Sequence, residues 1–227
     1  MRSITFHHIL IGLMMSTAAW GQLRLDPGMI ELGVVKAGDA RTATVTLSNA
    51  GTRPISIQRA EVSCGRCTFV HFEPTVLDPG RHVDVSIRFA PPISEGGLVQ
   101  RDVAFITSKP TLLPPKVWIQ AYITHNVGWW PAKLFLRKPQ KPGTKIHQMI
   151  DLVNVSEKSV KLGSATEPAD GPRILLPKMI QADKTVHVPL DWTLPAKPGE
   201  YSGGIKVNLP GHSGQGLEFV YDVRVGT

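Results

Sequence analysis

The sequence lacks the features that mark helical folds and the common hydrolytic enzymes. Nineteen prolines and 21 glycines leave little room for long helices, and we find no helical stripe of apolar residues after the first 21 positions. The motifs G-x-S-x-G and H-E-x-x-H are both absent. With only two cysteines, the chain has no second cysteine pair for a four-ligand structural zinc site. These absences predict a non-helical protein that is not an enzyme and needs no cofactor.

The chain also lacks a strong charge of either sign. Its 25 Lys and Arg residues against 18 Asp and Glu residues give a net charge of +7, spread along the chain. This excess permits attraction to anionic surfaces but falls short of the basic footprint of a nucleic-acid-binding protein. We therefore expect a protein or envelope-polymer partner, and no nucleic acid.

One stretch concentrates the basic residues without any acid. It contains five cations: Lys133, Arg137, Lys138, Lys141 and Lys145. Lys and Arg on an exposed edge strand protect a sheet from aggregation, which is one interpretation of this stretch. The other interpretation is a ligand-binding patch.

The start of the chain resembles an export signal. Arg2 precedes the apolar run Ile9–Met15, and small residues follow between Ala18 and Gly21. The apolar run is too short to span a bilayer, and no later run is longer. The sequence predicts a signal peptide over residues 1–21, no membrane span, and a periplasmic or extracellular location.

The remainder contains one pattern twice. GDARTATVTLSNAGTRPISI and GTKIHQMIDLVNVSEKSVKL align without gaps at an offset of 105 residues, from Gly38 to Gly143. PTVLDPGRHVDVSIRFAPP and PKMIQADKTVHVPLDWTLP align at an offset of 103 residues, from Pro74 to Pro177. The repeat is too long for a solenoid unit and has the size of one immunoglobulin-like sandwich.

Within each copy, apolar and polar residues alternate, as in half-buried strands. Val83, Val85, Ile87 and Phe89 alternate with polar residues, and turn signals such as Asp78-Pro79-Gly80 separate such runs. The predicted fold class is all-β, with two tandem immunoglobulin-like antiparallel β-sandwiches after the signal peptide. We expect them to span residues 22–126 and 127–227.

The first copy resembles a family through its order of motifs. LGVVKAGD, TATVTLSNAGTRPISI, a cysteine motif, LDPGRHVDVSIRFAPP and VAFITSKP follow one another between about residues 23 and 123. This order resembles bacterial Ig-like domains of unknown function with a Ser-Cys-Gly-Cys-Thr hallmark, similar to the Hydin and major-sperm-protein group. The resemblance implies a sandwich in an exported protein without established activity. Here the hallmark has one additional residue, Arg66, between the cysteines.

Cys64 and Cys67 have three interpretations in an exported chain. The pair can form a small disulfide, bind a soft metal with His71 or His82, or exchange with other disulfides. The residues that follow indicate a strand or loop rather than the helix N-terminus of a thioredoxin-type site. The second copy has no cysteine at this place, which favours the disulfide and disfavours a metal.

Trp129 and Trp130 follow the boundary between the copies. Neighbouring residues on a strand face opposite sides, so one can pack in the second copy while the other covers the junction or contacts a ligand. We expect a binding or envelope structural protein that uses exposed strand edges, with Val117–Thr124 and residues 133–145 as first candidates. A chaperone-like protein is an alternative that would require a cleft with a basic anchor, for which Arg88 and Lys116 are candidates. A metal or thiol role at Cys64 and Cys67 is another.

Overall fold

The computed structural model describes residues 23–109, 113–211 and 216–226, apart from the side chain of Arg137. Within these ranges every regular element is a strand and there is no helix, so the all-β prediction is confirmed. It follows that no helix capable of spanning a membrane occurs in the described ranges. The predicted signal peptide lies outside the described residues.

The first half of the chain, residues 23–126, forms two sheets. One has the strand order β1-β3-β7-β5 and the other β2-β9-β8-β4-β6. The strands are β1 (Leu23–Asp26), β2 (Met29–Lys36), β3 (Arg41–Asn49), β4 (Ile55–Val62), β5 (Thr68–Val70), β6 (Thr75–Leu77), β7 (His82–Phe89), β8 (Gly97–Thr107) and β9 (Lys116–Thr124).

The second half, residues 127–226, repeats this arrangement. Its sheets have the orders β10-β12-β17-β15 and β11-β19-β18-β14, with the short pair β13-β16 beside them. The strands are β10 (Val127–Trp130), β11 (Lys133–Gln140), β12 (Lys145–Asn154), β13 (Val160–Lys161), β14 (Ala165–Thr166), β15 (Arg173–Ile174), β16 (Met179–Ile180), β17 (Thr185–Thr193), β18 (Gly199–Asn208) and β19 (Gly216–Val225).

Two pairings depart from the antiparallel pattern. β2 runs parallel to β9, and β11 runs parallel to β19. In each half the first strand belongs to one sheet and the second strand to the other, and a proline lies between them. The second strand, β2 or β11, pairs with the last strand of its half, β9 or β19. Pro27 separates β1 from β2, and Pro131 separates β10 from β11.

The alternation read from the sequence explains which residues are buried. In β7, Val85, Ile87 and Phe89 are buried, whereas the intervening residues are exposed. The buried apolar side chains form two clusters: one contains residues between 30 and 123, and the other contains residues between 127 and 225. Each cluster lies between the two sheets of its own half.

The halves meet where β10 passes β2 and β9. Gly128 is buried there, and a Cβ added to it would lie 2.7 Å from Cδ1 of Tyr122 and 2.8 Å from Cγ1 of Val34. An ion pair also joins the halves, with Lys36 Nζ 3.2 Å from a carboxylate oxygen of Glu157. Absence of a side chain at position 128 is therefore what permits this close approach.

Candidate binding surfaces

Cys64 and Cys67 form a disulfide that closes a tight turn between β4 and β5, with the Cα atoms 5.5 Å apart. The N–H groups of Cys67 and Thr68 both donate to the carbonyl of Cys64, at 3.2 and 2.9 Å. Because β4 and β5 belong to different sheets, this turn is where the chain crosses from one sheet to the other. The disulfide therefore fixes a sheet-to-sheet crossover, and the turn is not a helix start.

The two histidines proposed to complete a metal site lie in different places. His71 is exposed just after β5. His82 is exposed at the start of β7, whose other end, at Phe89, pairs with Thr68 beside the disulfide. Seven strand positions correspond to about 23 Å, too far for a shared ion. In the described ranges no three His, Cys, Asp or Glu side chains of one chain come together as a metal site.

The basic stretch does lie on a sheet edge. β11 is the outermost strand of its sheet and pairs only with β19 among the described strands. Lys138 is exposed on β11, Lys141 in the turn after it and Lys145 at the first position of β12. We call Lys133, Lys138, Lys141 and Lys145 the basic margin; the side chain of Arg137, also predicted to belong here, lies outside the described part.

At the start of β11, a lysine and an aromatic ring form one local cluster. Lys133 Nζ lies 3.1 Å from a carboxylate oxygen of Asp222 on β19 and 5.4 Å from the ring centroid of Phe135. Phe135 remains 56% exposed on the outer side of the sheet. The edge of β11 therefore brings together lysines of the basic margin, the exposed ring of Phe135 and a row of backbone groups that pairs with no described strand.

The other candidate edge does not exist. Val117–Thr124 falls in β9, which pairs with β2 on one side and β8 on the other. Both rows of its backbone hydrogen-bonding groups face neighbouring strands, so a partner strand cannot be added there. The prediction of a contact edge at residues 117–124 is wrong because β2, distant in sequence, covers it.

The adjacent tryptophans take opposite sides of β10. Trp129 is fully buried and packs edge-on against Phe219 in the second cluster, with ring centroids 5.9 Å apart. Trp130 faces the outer side, opposite Asp151 of β12, and is half-buried. Only Trp130 is therefore available to a ligand without unfolding.

A groove of about 320 Å³ lies where the halves meet, and Glu95, Tyr122, His125 and Leu217 contribute to its lining. Burial raises the pKa of the Tyr122 hydroxyl above its usual range, and the charge of Glu218 raises it further. The phenol of Tyr122 therefore stays neutral to a higher pH than that of an ordinary tyrosine.

Neither candidate anchor of a chaperone-like cleft is part of this groove. Arg88 lies on the outer face of β7, with its guanidinium carbon 5.5 Å from the centroid of Phe69. Lys116 pairs with Asp102 at 2.9 Å and lies beside Trp118. The proposed roles of Arg88 and Lys116 as carboxylate anchors in the cleft are wrong, because both side chains are engaged on outer sheet faces.

The sequence analysis missed two histidine–aspartate pairs on the outer face of β12 and β17. His147 Nδ1 lies 2.6 Å from an oxygen of Asp191, and His187 Nδ1 lies 2.6 Å from an oxygen of Asp151. Each strand carries the pattern His-x-x-x-Asp, and the antiparallel register places each histidine opposite the aspartate of the other strand. The His-x-x-x-Asp spacing shared by both strands was the signal available in the sequence. Only the register of β12 with β17 shows that each histidine faces an aspartate of the other strand.

A comparison with known families finds a match in the first half of the chain. Residues 21–122 match the family model of the HYDIN/CFA65/VesB-like Ig-like domain. This confirms the resemblance read from the motif order. No curated protein matches the chain.

Several solved structures are similar at low identity. A protein of unknown function from Porphyromonas gingivalis W83 is 10% identical with a TM-score of 0.42, covering 89% of this chain and 99% of its own. The E. coli chaperone DraB is 14% identical with a TM-score of 0.36, covering 90% and 98%. The MSP-domain-like protein SSP-19 of Caenorhabditis elegans is 18% identical with a TM-score of 0.31, covering 44% and 97%.

Proposed function

We propose that this is an exported, non-enzymatic binding protein of two tandem Ig-like domains, residues 22–126 and 127–227. Its contact surface is the basic margin, and its partner is an acidic, extended segment of another protein that adds a strand beside β11. The observation that carries the proposal is that β11 is an edge strand with exposed lysines at its end and just beyond it: Lys138 on β11, Lys141 in the turn that follows and Lys145 at the start of β12.

Strand addition provides main-chain hydrogen bonds, and side chains decide which strand is accepted. Lys138 near the end of β11 and the nearby Lys141 and Lys145 repel a second copy of the same basic strand and attract an acidic one. Phe135, exposed beside Lys133, offers an apolar contact for a residue of the added strand. The charges that protect the edge from self-association thus also select the partner.

Export is supported by the sequence and by the disulfide. Arg2, the apolar run Ile9–Met15 and the small residues up to Gly21 have the order of a secretory signal. A disulfide between Cys64 and Cys67 suits an oxidising compartment. Fractionation of the native host, with the mature N-terminus sequenced, tests this part: a cytoplasmic protein that retains residues 1–21 contradicts it.

Binding is tested with two probes, a synthetic extended peptide that alternates Glu with Val and a poly-glutamate of equal charge. We expect the peptide to bind in low salt and to weaken as salt screens the charges. The triple variant Lys138→Glu, Lys141→Glu, Lys145→Glu should lose at least tenfold in affinity.

The matched control is Lys161→Glu, Lys178→Glu, Lys184→Glu, which reverses three exposed charges elsewhere on the second half. This control should bind nearly as the unmodified protein does. If both triple variants lost the same affinity for the peptide, the change in net charge alone would explain the loss. That result would contradict the proposed surface. Equal binding of poly-glutamate and the peptide would indicate an anionic polymer partner and contradict strand addition.

A further inference from the structure

The two histidine–aspartate pairs lie on one exposed sheet face of the second half. The side chains of His147 and His187 are 68% and 70% exposed, respectively. Between them the register places Met149 of β12, 49% exposed, opposite Pro189 of β17. The middle of the face therefore consists of two polar pairs around an apolar centre, and the flanking strands add Trp130 beside Asp151 and Arg173 beside Asp191.

Each aspartate determines which nitrogen of its histidine is free. An ionised carboxylate only accepts hydrogen bonds, so the Nδ1 atoms, at 2.6 Å from Asp191 and Asp151, must be the donors. In a neutral imidazole the other nitrogen, Nε2, then carries a lone pair and no proton. Metal-bound histidines have this arrangement, with one ring N–H donated to a carboxylate and the other nitrogen on the ion.

One chain supplies only one such imidazole at each end of the face. His147 and His187 lie on adjacent strands and are separated by four register positions, or about 13 Å along the strands. A single ion cannot reach both, because a Zn–N bond is only about 2.0–2.1 Å long. Within the part of the chain that the structure describes, an ion held by one of these imidazoles must therefore take a second imidazole from another molecule.

A second copy of the same face can supply the second imidazole, because a histidine–aspartate pair is present at both ends of the face. Rotation about an axis between Met149 and Pro189 exchanges His147 with His187, and it exchanges Asp191 with Asp151. Two-fold dimers require a self-complementary patch, in which residue i contacts residue j and j contacts i. When two such faces stack about a two-fold axis that lies between them and runs across the strands, His147 of each copy comes to the end that carries His187 of the other.

We propose that two copies of this protein bind divalent transition-metal ions face to face. Each ion is held by Nε2 of His147 from one copy and Nε2 of His187 from a second copy, with water completing its coordination. Imidazole ligands suit Zn²⁺, Cu²⁺ and Ni²⁺. Asp191 and Asp151 are positioning residues that orient the rings without touching the metal.

The experiment measures the mass of the purified full chain in solution by sedimentation velocity, with EDTA and then with ZnCl₂. We expect a monomer in EDTA and a dimer with one Zn²⁺ per chain after zinc is added. The variant His147→Asn with His187→Asn should remain a monomer at the same zinc concentration. The control His71→Asn with His82→Asn changes two exposed histidines elsewhere and should dimerise like the unmodified chain.

The aspartates provide a second test with a different readout. Asp151→Asn with Asp191→Asn should retain the dimer but require about 10-fold more zinc, because outer-shell carboxylates affect metal affinity by roughly 10–100-fold. Co²⁺ absorption should report the change in the ligand field. A dimer that persists in the His147/His187 variant overturns the proposal, as does zinc bound to a protein that stays monomeric. Circular dichroism confirms that each variant is folded.

Discussion

Asn49 and Asn154, one in each half, make the same set of buried hydrogen bonds at an offset of 105 residues. Asn49 Nδ2 donates to the carbonyls of Arg53 and Leu77, each at 2.8 Å. Asn154 Nδ2 donates to the carbonyls of Lys158, at 2.8 Å, and of Ile180, the counterpart of Leu77, at 3.4 Å, with one further bond to the carbonyl of Gln181 at 2.9 Å. In both cases the side-chain oxygen accepts an N–H from the residue two positions later. The repeat thus preserves a buried hydrogen-bonding asparagine as well as an apolar pattern.

Replacing either asparagine with alanine should lower the free energy of unfolding by about 2–3 kcal/mol, because buried carbonyls and an N–H lose their partners. Urea denaturation monitored by tryptophan fluorescence measures this. The exposed Asn208→Ala is the control and should change stability by less than about 0.5 kcal/mol. An Asn49→Ala protein as stable as the control would show that these bonds add nothing.

Gly128→Ala should loosen the contact between the halves. The added methyl group would overlap Tyr122 and Val34, at 2.7 and 2.8 Å from the nearest side-chain atoms, so neighbouring groups must move. Overpacking of this kind costs about 1–3 kcal/mol. Thermal denaturation compares it with Gly65→Ala, where nothing lies within 4 Å of the new Cβ. Equal melting temperatures for the two variants would contradict the close approach.

Glu167 should contribute a pH-dependent part of the stability. Burial raises the pKa of Glu167, but hydrogen bonds from Arg173 and the Ile174 N–H, with the charge of Arg173, outweigh it, so the pKa lies below its ordinary value of 4.5. A lowered pKa stabilises the fold above that ordinary value, and the contribution is lost as pH falls through the folded-state pKa.

The variant Glu167→Gln tests this contribution by denaturation at two pH values. At pH 7 it should be about 1 kcal/mol less stable than the unmodified protein, because it loses a charge-assisted hydrogen bond. At pH 3, below the ordinary value of 4.5, the difference should shrink, because the unfolded carboxylate binds protons more readily than the native one. The exposed Glu200→Gln serves as control. A difference that is the same at both pH values would contradict the role of ionisation.

Reducing the disulfide should weaken the first half only slightly. So small a closed loop restricts the unfolded chain little, and the loop-length formula gives about 1–2 kcal/mol. Denaturation with and without dithiothreitol, followed by circular dichroism, should show a folded reduced protein with a lowered midpoint. Cys64→Ala with Cys67→Ala should behave like the reduced protein; complete unfolding of either would contradict this estimate.

If the halves are separate domains, each should fold alone. Residues 22–126 and 127–227 expressed separately should each unfold cooperatively, because each contains its own buried cluster. Native-state hydrogen exchange provides the measurement. We expect each fragment to be less stable than in the full chain, because it loses the contact at Gly128. A fragment without protected amides would contradict the division.

Local patterns in the sequence predicted the strands well. The alternation in β7 identified Val85, Ile87 and Phe89 as buried, because a strand's side chains face its two sides in turn. The same reasoning predicted that Trp129 and Trp130 face opposite sides of their strand. β11, which carries Lys133 and Lys138 of the basic stretch, lies at a sheet edge, as one of the two interpretations of this stretch expected.

What the sequence could not supply was the identity of neighbouring strands. β9 looks like an edge candidate by itself, and only its long-range pairing with β2 shows that it is internal. The histidine–aspartate pairs were missed for the same reason. His147 and Asp191 lie 44 positions apart, and their contact follows from the register of β12 with β17, which local alternation does not determine.

The parallel pairing of β2 with β9 has a consequence for how the first half forms. β2 and β9 can pair only after the strands between them in the sequence have been synthesised. The loop that this pairing closes is long, so its entropy cost arises late in folding. Until β9 pairs with them, the facing edges of β2 and β8 have backbone groups without hydrogen-bond partners, and another polypeptide can bind there. A nascent first half is therefore most vulnerable to misassociation just before its final strand is available.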